Sequence, residues 1–215
     1  MKDKEYMRKA IMTAAISCIP FLIGLYLMDK LPDQIPVHFD FRGNVDRYGS
    51  KYEILLLMLL LPALHLLCAF VTGKDPKAAN VSGKVHDLVL WIIPCLSFVL
   101  SFMVYGKALG LDIDVRVLMS SLVSVMFIVI GNYMPKTRQN YTIGIKIPWT
   151  LEDAENWDRT HRLAGYLFIF CGIIMFLSIF VKTDAFMWIL LAACLIAVFV
   201  PVIYSYSLYQ KKKES

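Results

Sequence analysis

Apolar residues in this chain gather into six long blocks instead of alternating with polar ones. Residues 10–28, 54–71, 88–105, 117–133, 163–181 and 185–205 contain no Asp, Glu, Lys or Arg. A bilayer core about 30 Å thick needs roughly 20 apolar residues in a helix rising 1.5 Å each, and each block comes within a few residues of that. A charge at mid-membrane costs at least about 2.5 kcal/mol on insertion scales, so six charge-free windows point to one environment. The pattern predicts an all-α integral membrane protein, a six-transmembrane-helix bundle occupying residues 1–215 as a single membrane domain. Core helices of a soluble protein would need more polar sequence to cover them. The first block is read as a retained helix. Its apolar part is too long for a signal-peptide h-region, and no small-x-small cleavage pattern closes it.

Composition agrees: 58% of residues are apolar and 18% charged, against about 45–50% and 25% in soluble domains. Six spans place both termini on one side. That side carries 15 of the 22 Lys and Arg residues and the other carries 7, while the acids divide 9 to 8. The positive-inside rule then predicts both termini in the cytoplasm. The net charge of +5 is read as topology and attraction to anionic lipid. Its scatter over four segments argues against direct nucleic-acid binding. Tyr26, Tyr105, Tyr133 and Tyr204 are expected near the interfaces. Pro20, Pro62, Pro94 and Pro201 are expected to kink their helices. The five cysteines, Cys18, Cys68, Cys95, Cys171 and Cys194, all fall in the spans, where buried free thiols are expected and neither disulfides nor a metal site.

Two connections are long. The first, residues 29–53, is expected outside. Ile35, Val37, Phe39 and Phe41 alternate with Pro36, His38, Asp40 and Arg42, a strand signal, and Gly43-Asn44 offers a turn. Two readings stand: a cap over the helix ends, or a recognition surface with His38, Asp40, Arg42 and Asp46 outward. His38, Asp40 and Asp46 lack clear metal-ligand spacing, so no metal is assigned. The second, residues 134–162, is expected inside. Thr150 followed by Asp153 reads as an N-cap with an acidic N3 residue, starting one helix from Leu151 to about Val181. Glu155–Arg159 and Asp158–Arg162 are i,i+4 pairs, and Trp157 shares a face with His161. Trp149 and Trp157 read either as interfacial anchors or as a docking face. The connection at 182–184 is short enough to make the last two spans a hairpin.

These loops resemble the SdpI family of bacterial membrane proteins. Gly131-Asn132-Tyr133-Met134-Pro135 looks like that family's GN-x-M-P element. Residues 143–151, IGIKIPWTL, look like its IGIRTPWTL signature, with Lys146 for Arg and Ile147 for Thr. Trp157, Thr160-His161-Arg162 and Gly165 match W-x-x-T-H-R-x-x-G. The outer loop resembles the domain of unknown function common at this family's N-terminus, through Leu31-Pro32, Ile35-Pro36-Val37-His38-Phe39, Gly43, Asp46 and Gly49-Ser50-Lys51. The resemblance implies a membrane immunity or sensor protein of the bacterial plasma membrane that protects against a secreted toxic peptide. It also implies capture of a small winged-helix autorepressor inside. The partner-binding residues it suggests are Asn132, Pro148, Trp149, Thr150, Trp157, His161 and Arg162.

Two other classes are weighed. A transporter would place polar groups at mid-membrane. His65 is the imidazole deepest in a span, yet no span holds an acidic partner for a proton relay. An enzyme would need a catalytic constellation, and the chain carries no HExxH, GxSxG or pair of intramembrane carboxylates. No catalytic residue and no cofactor are therefore assigned.

Overall fold

The computed structural model describes residues 3–181 and 185–214. The expected turn at 182–184 lies outside the described residues. The protein is mostly helical, at 75%. The elements run α1 (Asp3–Ser17), α2 (Ile19–Tyr26), β1 (Gln34–Phe39), β2 (Val45–Ser50), α3 (Lys51–Gly73), α4 (Gly83–Ala108), α5 (Val115–Tyr133), α6 (Pro148–Glu152), α7 (Ala154–Ser178) and α8 (Ala185–Glu214). Among the described residues, six helical stretches are long and apolar enough to cross a membrane, with α1 and α2 together forming the first. This is a multi-pass membrane protein. Within each window only 22–39% is buried inside the chain. Leu60, Phe180 and Ile203 are among the many large apolar side chains left facing outward. Water would penalise such faces heavily, whereas acyl chains match them.

Pro20 does more than kink the first span. It sits in the first turn of α2 and ends α1 at Ser17, as expected of a residue with no N–H to donate. Pro62, Pro94 and Pro201 stay inside α3, α4 and α8.

By its internal contacts the chain forms two compact units. One holds residues up to Lys74 with His86–Arg116, and the other Asp75–Val85 with the residues from Val117 on. In the first unit, Tyr6, Ala10, Ala69 and Leu90 form a buried apolar cluster. The Tyr6 hydroxyl donates to the Ala69 carbonyl at 3.0 Å. His65 is buried on α3, its Nε2 2.8 Å from the Thr13 hydroxyl. Tyr105 is buried, and its hydroxyl donates to the Pro20 carbonyl at 3.3 Å. In the second unit, Cys171 and Met175 of α7 pack on Ala193 and Ala197 of α8. There α5 and α7 meet through glycine. A Cβ on Gly131 would lie 2.8 Å from the Gly165 carbonyl oxygen, and one on Gly165 would lie 2.8 Å from that of Gly131. Only small residues let two membrane helices come this close.

The cysteine expectation needs correcting. Cys171 is buried, but Cys68 and Cys95 are exposed on their helices. A charge-free span surrounded by lipid has an outer face as apolar as its inner one, so composition does not tell which way a thiol points.

Candidate functional site

The first loop folds as a hairpin. β1 and β2 pair antiparallel, with Gln34 opposite Ser50 and Phe39 opposite Val45, and the register slips around Val37. Ile35 and Pro36 are both buried and Phe41 is exposed, so the expected alternation holds only over Val37, His38 and Phe39. Ser50 ends the hairpin and caps α3. Its hydroxyl accepts from the Tyr52 N–H, and the Glu53 carboxylate accepts from the Ser50 N–H.

The four residues read as an outer recognition set divide into two kinds. Asp40 belongs to the turn. Its carboxylate accepts from the Arg42 and Asn44 backbone N–H groups at 2.9 and 2.8 Å and from the Asn44 side chain at 3.1 Å. The Asn44 side chain and then its backbone N–H hold this carboxyl below the usual carboxylate range. His38 and Asp46 lie on facing strands and pair on the exposed side, Nδ1 to Oδ1 at 2.6 Å. Arg42 is exposed and lies over the Phe41 ring.

The second long loop is wound into a hydrogen-bonded lattice. Asn140, wholly buried, organises its centre. Its carbonyl oxygen accepts from the Thr142 and Ile143 N–H groups at 2.9 and 2.6 Å, and its amide donates to the Arg138 and Ile143 carbonyls at 2.8 and 2.9 Å. Gln139 reaches forward, its amide donating to the Thr150 and Leu151 carbonyls. The loop at 74–82 clasps this lattice from outside. There Lys77 donates to the Gln139 side chain and Asn80 to the Gln139 carbonyl. Asp75 accepts from the Tyr141 N–H and the Thr142 hydroxyl, both at 2.8 Å, and from the Lys77 N–H at 2.7 Å. Burial pushes the Asp75 carboxyl up, but these donors together outweigh it and leave it below its ordinary value.

Behind the lattice stand Trp157 and His161, with rings stacked 4.0 Å apart. The indole donates to the Thr137 carbonyl at 2.7 Å. The Nδ1 of His161 lies 2.9 Å from the Trp157 carbonyl, which can only accept, so Nδ1 carries a proton. Nε2 then accepts from the Ile145 N–H at 3.0 Å. Gly144 is required between them. Its φ is 119°, and a Cβ there would run into the His161 ring. The single proton of the Thr150 hydroxyl is shared between the Ile145 and Ile147 carbonyls, 2.8 and 2.9 Å away, and its oxygen accepts from the Ile147 N–H. Asn156 and Thr160 join the buried network, with Asn156 bonding Ser205 of α8 through both its amide and its carbonyl oxygen.

This geometry changes two readings of the segment. The helix is not continuous from Leu151. Asp153 is extended, at φ −128° and ψ 112°, and divides α6 from α7. It is Asp153, not Thr150, that caps the long helix, through the Glu155 and Asn156 N–H groups. The Lys212 ammonium 2.9 Å away and those N–H groups hold its carboxyl below the usual range. The expected Glu155–Arg159 pair is present at 2.7 Å. The face shared by Trp157 and His161 points inward: they are 0% and 1% exposed, and Thr150 is 0%. These three present no surface to a partner. Asn132, Pro148 and Arg162 are exposed, and Trp149 is partly so. The Trp149 ring packs against Tyr206 and Tyr209, and its indole N–H is buried with no hydrogen-bond partner among the described residues.

Sequence reading missed Asp75, Gln139 and Asn140. Asn140 gave a faint signal, since Asn two residues before a free N–H favours an Asx turn. Asp75 gave only the same local signal, through the Lys77 N–H two residues on; its bonds to the lattice gave none, because those partners lie 66 and 67 residues away. Among the described residues no group of His, Cys, Asp and Glu is placed to hold a metal ion.

Residues 136–205, which include most of this lattice, match the SdpI/YfhL protein family, and residues 15–61 match a domain of unknown function, DUF1648. No solved structure matches the chain. It is 27% identical to the immunity protein SdpI of Bacillus subtilis (strain 168) over 210 residues, covering 95% of this chain and 98% of that one. The resemblance first read in the two long loops is therefore shown along nearly the whole chain, which is similar to the SdpI protein end to end and matches the SdpI/YfhL model in its C-terminal part and the DUF1648 model nearer its N-terminus.

Proposed function

We propose that this protein is a non-enzymatic immunity protein of the bacterial plasma membrane, protecting its cell from a secreted toxic peptide. What supports the reading is end-to-end similarity to a protein named for immunity, together with the same number of candidate spans that the sequence predicts. In this reading both termini are cytoplasmic and the β1–β2 hairpin faces outward. The toxin meets the hairpin and the nearby helix ends. Apolar burial supplies most of its affinity, and the exposed His38–Asp46 pair with Arg42 supplies orientation.

The lattice at 134–162 has a second role in the same reading. It displays Asn132, Pro148, Trp149 and Arg162 to a cytoplasmic partner, a small winged-helix repressor by family resemblance. Thr150, Trp157 and His161 hold that surface from behind. The test is survival of a sensitive strain carrying wild type, a His38→Ala/Arg42→Ala variant or an empty vector, across a panel of secreted peptides that includes the one encoded nearest this gene. Wild type should survive at least one peptide that kills the other two. Equal killing of wild type and empty vector by every peptide sinks the immunity reading.

A further inference from the structure

A half-open cavity of about 130 Å³ lies in the first unit, lined by Lys9, Met12 and Thr13 of α1 and by Asp87, Leu90 and Trp91 of α4. That volume is several times the ~30 Å³ share of one water. Its polar end is an ion pair, with the Lys9 ammonium 2.8 and 3.1 Å from the two Asp87 carboxylate oxygens and 3.7 Å from Glu5. Both partners stay partly open, their side chains 31% and 42% exposed. Of the lining residues, Thr13 and Leu90 are buried, while Met12 and Trp91 are exposed and form an apolar rim.

Depth fixes the surroundings. Lys9 and Asp87 each sit within the first two turns of a candidate span. That is the level of lipid headgroups, where Lys stems and Trp rings are favoured. An ammonium has three donors and an ionised carboxylate about four acceptor sites, so the pair saturates neither member. The cavity thus offers one cation with a spare donor and one anion with spare lone pairs, side by side, above an apolar rim.

The geometry points to a site for a zwitterionic phospholipid with a primary ammonium, that is, a phosphoethanolamine headgroup. Its phosphate takes the spare Lys9 donor, its ammonium donates to Asp87, and its acyl chains run down past Met12 and Trp91. A trimethylammonium headgroup is bulkier and cannot donate to the carboxylate. A phosphoglycerol headgroup brings an anion but no cation for Asp87. The site is independent of the immunity reading, because it uses neither the hairpin nor the lattice at 134–162.

The test is thermal unfolding of the full-length protein in detergent, titrated with phosphatidylethanolamine, phosphatidylcholine, phosphatidylglycerol or free phosphoethanolamine. The ethanolamine lipid should raise the unfolding midpoint with a half-saturating concentration roughly tenfold below that of either other lipid, the size of one charge-assisted hydrogen bond. Asp87→Asn should abolish that preference and Asp87→Glu should keep it. If Asp87→Asn does not fold, Lys9→Gln serves, and it should weaken the response to the ethanolamine lipid. Equal half-saturation by all three lipids, or a preference that survives Asp87→Asn, overturns the proposal. Stabilisation by free phosphoethanolamine at the same concentration overturns the lipid as occupant.

Discussion

The Trp157 indole N–H donates to the Thr137 carbonyl at 2.7 Å, joining the start of α7 to the turn that follows α5. Trp157 is wholly buried and stacks on His161. Its removal therefore acts on the fold before it acts on any partner. Trp157→Ala should destabilise by about 3–5 kcal/mol, as large-to-small core changes do. Trp157→Phe keeps an aromatic ring but leaves the carbonyl unpaired, costing about 1–3 kcal/mol. The check is membrane protein level and unfolding midpoint for both variants. Arg162→Ala, at an exposed position, should leave both near wild type. If Trp157→Ala matches wild type in level and midpoint, the supporting role assigned to the indole is wrong.

The clasp at Asp75 should respond to acid in a definite direction. Its carboxyl is held below its ordinary value in the folded protein by the N–H groups of Lys77 and Tyr141 and by Thr142. A depressed carboxyl contributes stability that is complete above its unfolded value near 3.9 and is lost as pH falls through the lower folded value. The Tyr141 and Lys77 amides, which donate to this carboxylate, should thus keep their hydrogen-exchange protection through neutral and mildly acid pH and lose it only below about pH 4. Asp75→Asn should lower that protection at every pH and remove the acid step. An acid step unchanged in Asp75→Asn would assign it to another group.

How much of this was visible beforehand follows from the range of each interaction. The helices were legible because a charge-free window about 20 residues long has few other uses. The Trp157–His161 contact was legible because i,i+4 spacing is a local rule. Its direction was not, since the lattice that covers it comes from residues 137–145. The break at Asp153 was missed because Thr150 with Asp153 imitates a capping box, while Thr150 actually spends its hydroxyl on Ile145 and Ile147. The hairpin was half legible. Alternation marked β1, but nothing in β2 alternates, and Asp40 looked outward-facing until Asn44 folded back onto it.

Orientation is testable by thiol labelling, and the structure chooses the positions. The native cysteines must be replaced first, since Cys68 and Cys95 are exposed on their helices. Ser50 is a poor reporter because its hydroxyl caps α3, and Thr142 is poor because it bonds Asp75. Tyr48 and Lys146 are exposed and disturb less. With both termini inside, Tyr48→Cys should react with an impermeant thiol reagent in intact cells, and Lys146→Cys should react only after lysis. The opposite pattern reverses the topology.

The hairpin gives the last prediction, one that separates folding from recognition at positions two residues apart. Asp40 accepts from the Arg42 N–H and from the N–H and side-chain amide of Asn44, so the turn is organised on this one carboxylate. The His38 side chain bonds across the exposed face, to Asp46. Asp40→Ala should release the turn, and the amides at 42 and 44 should lose hydrogen-exchange protection. His38→Ala should leave those amides protected, because β1 and β2 still pair from Gln34 to Phe39. Exposed ion pairs add little to stability, so the unfolding midpoint of His38→Ala should stay near wild type. Asp40→Asn separates charge from shape. It keeps an acceptor oxygen for the backbone N–H groups but loses the second one that takes the Asn44 amide, so its protection should fall between wild type and Asp40→Ala. If His38→Ala loosens the turn as much as Asp40→Ala, the His38–Asp46 pair is part of the hairpin's structure, and it should be dropped from the proposed recognition surface.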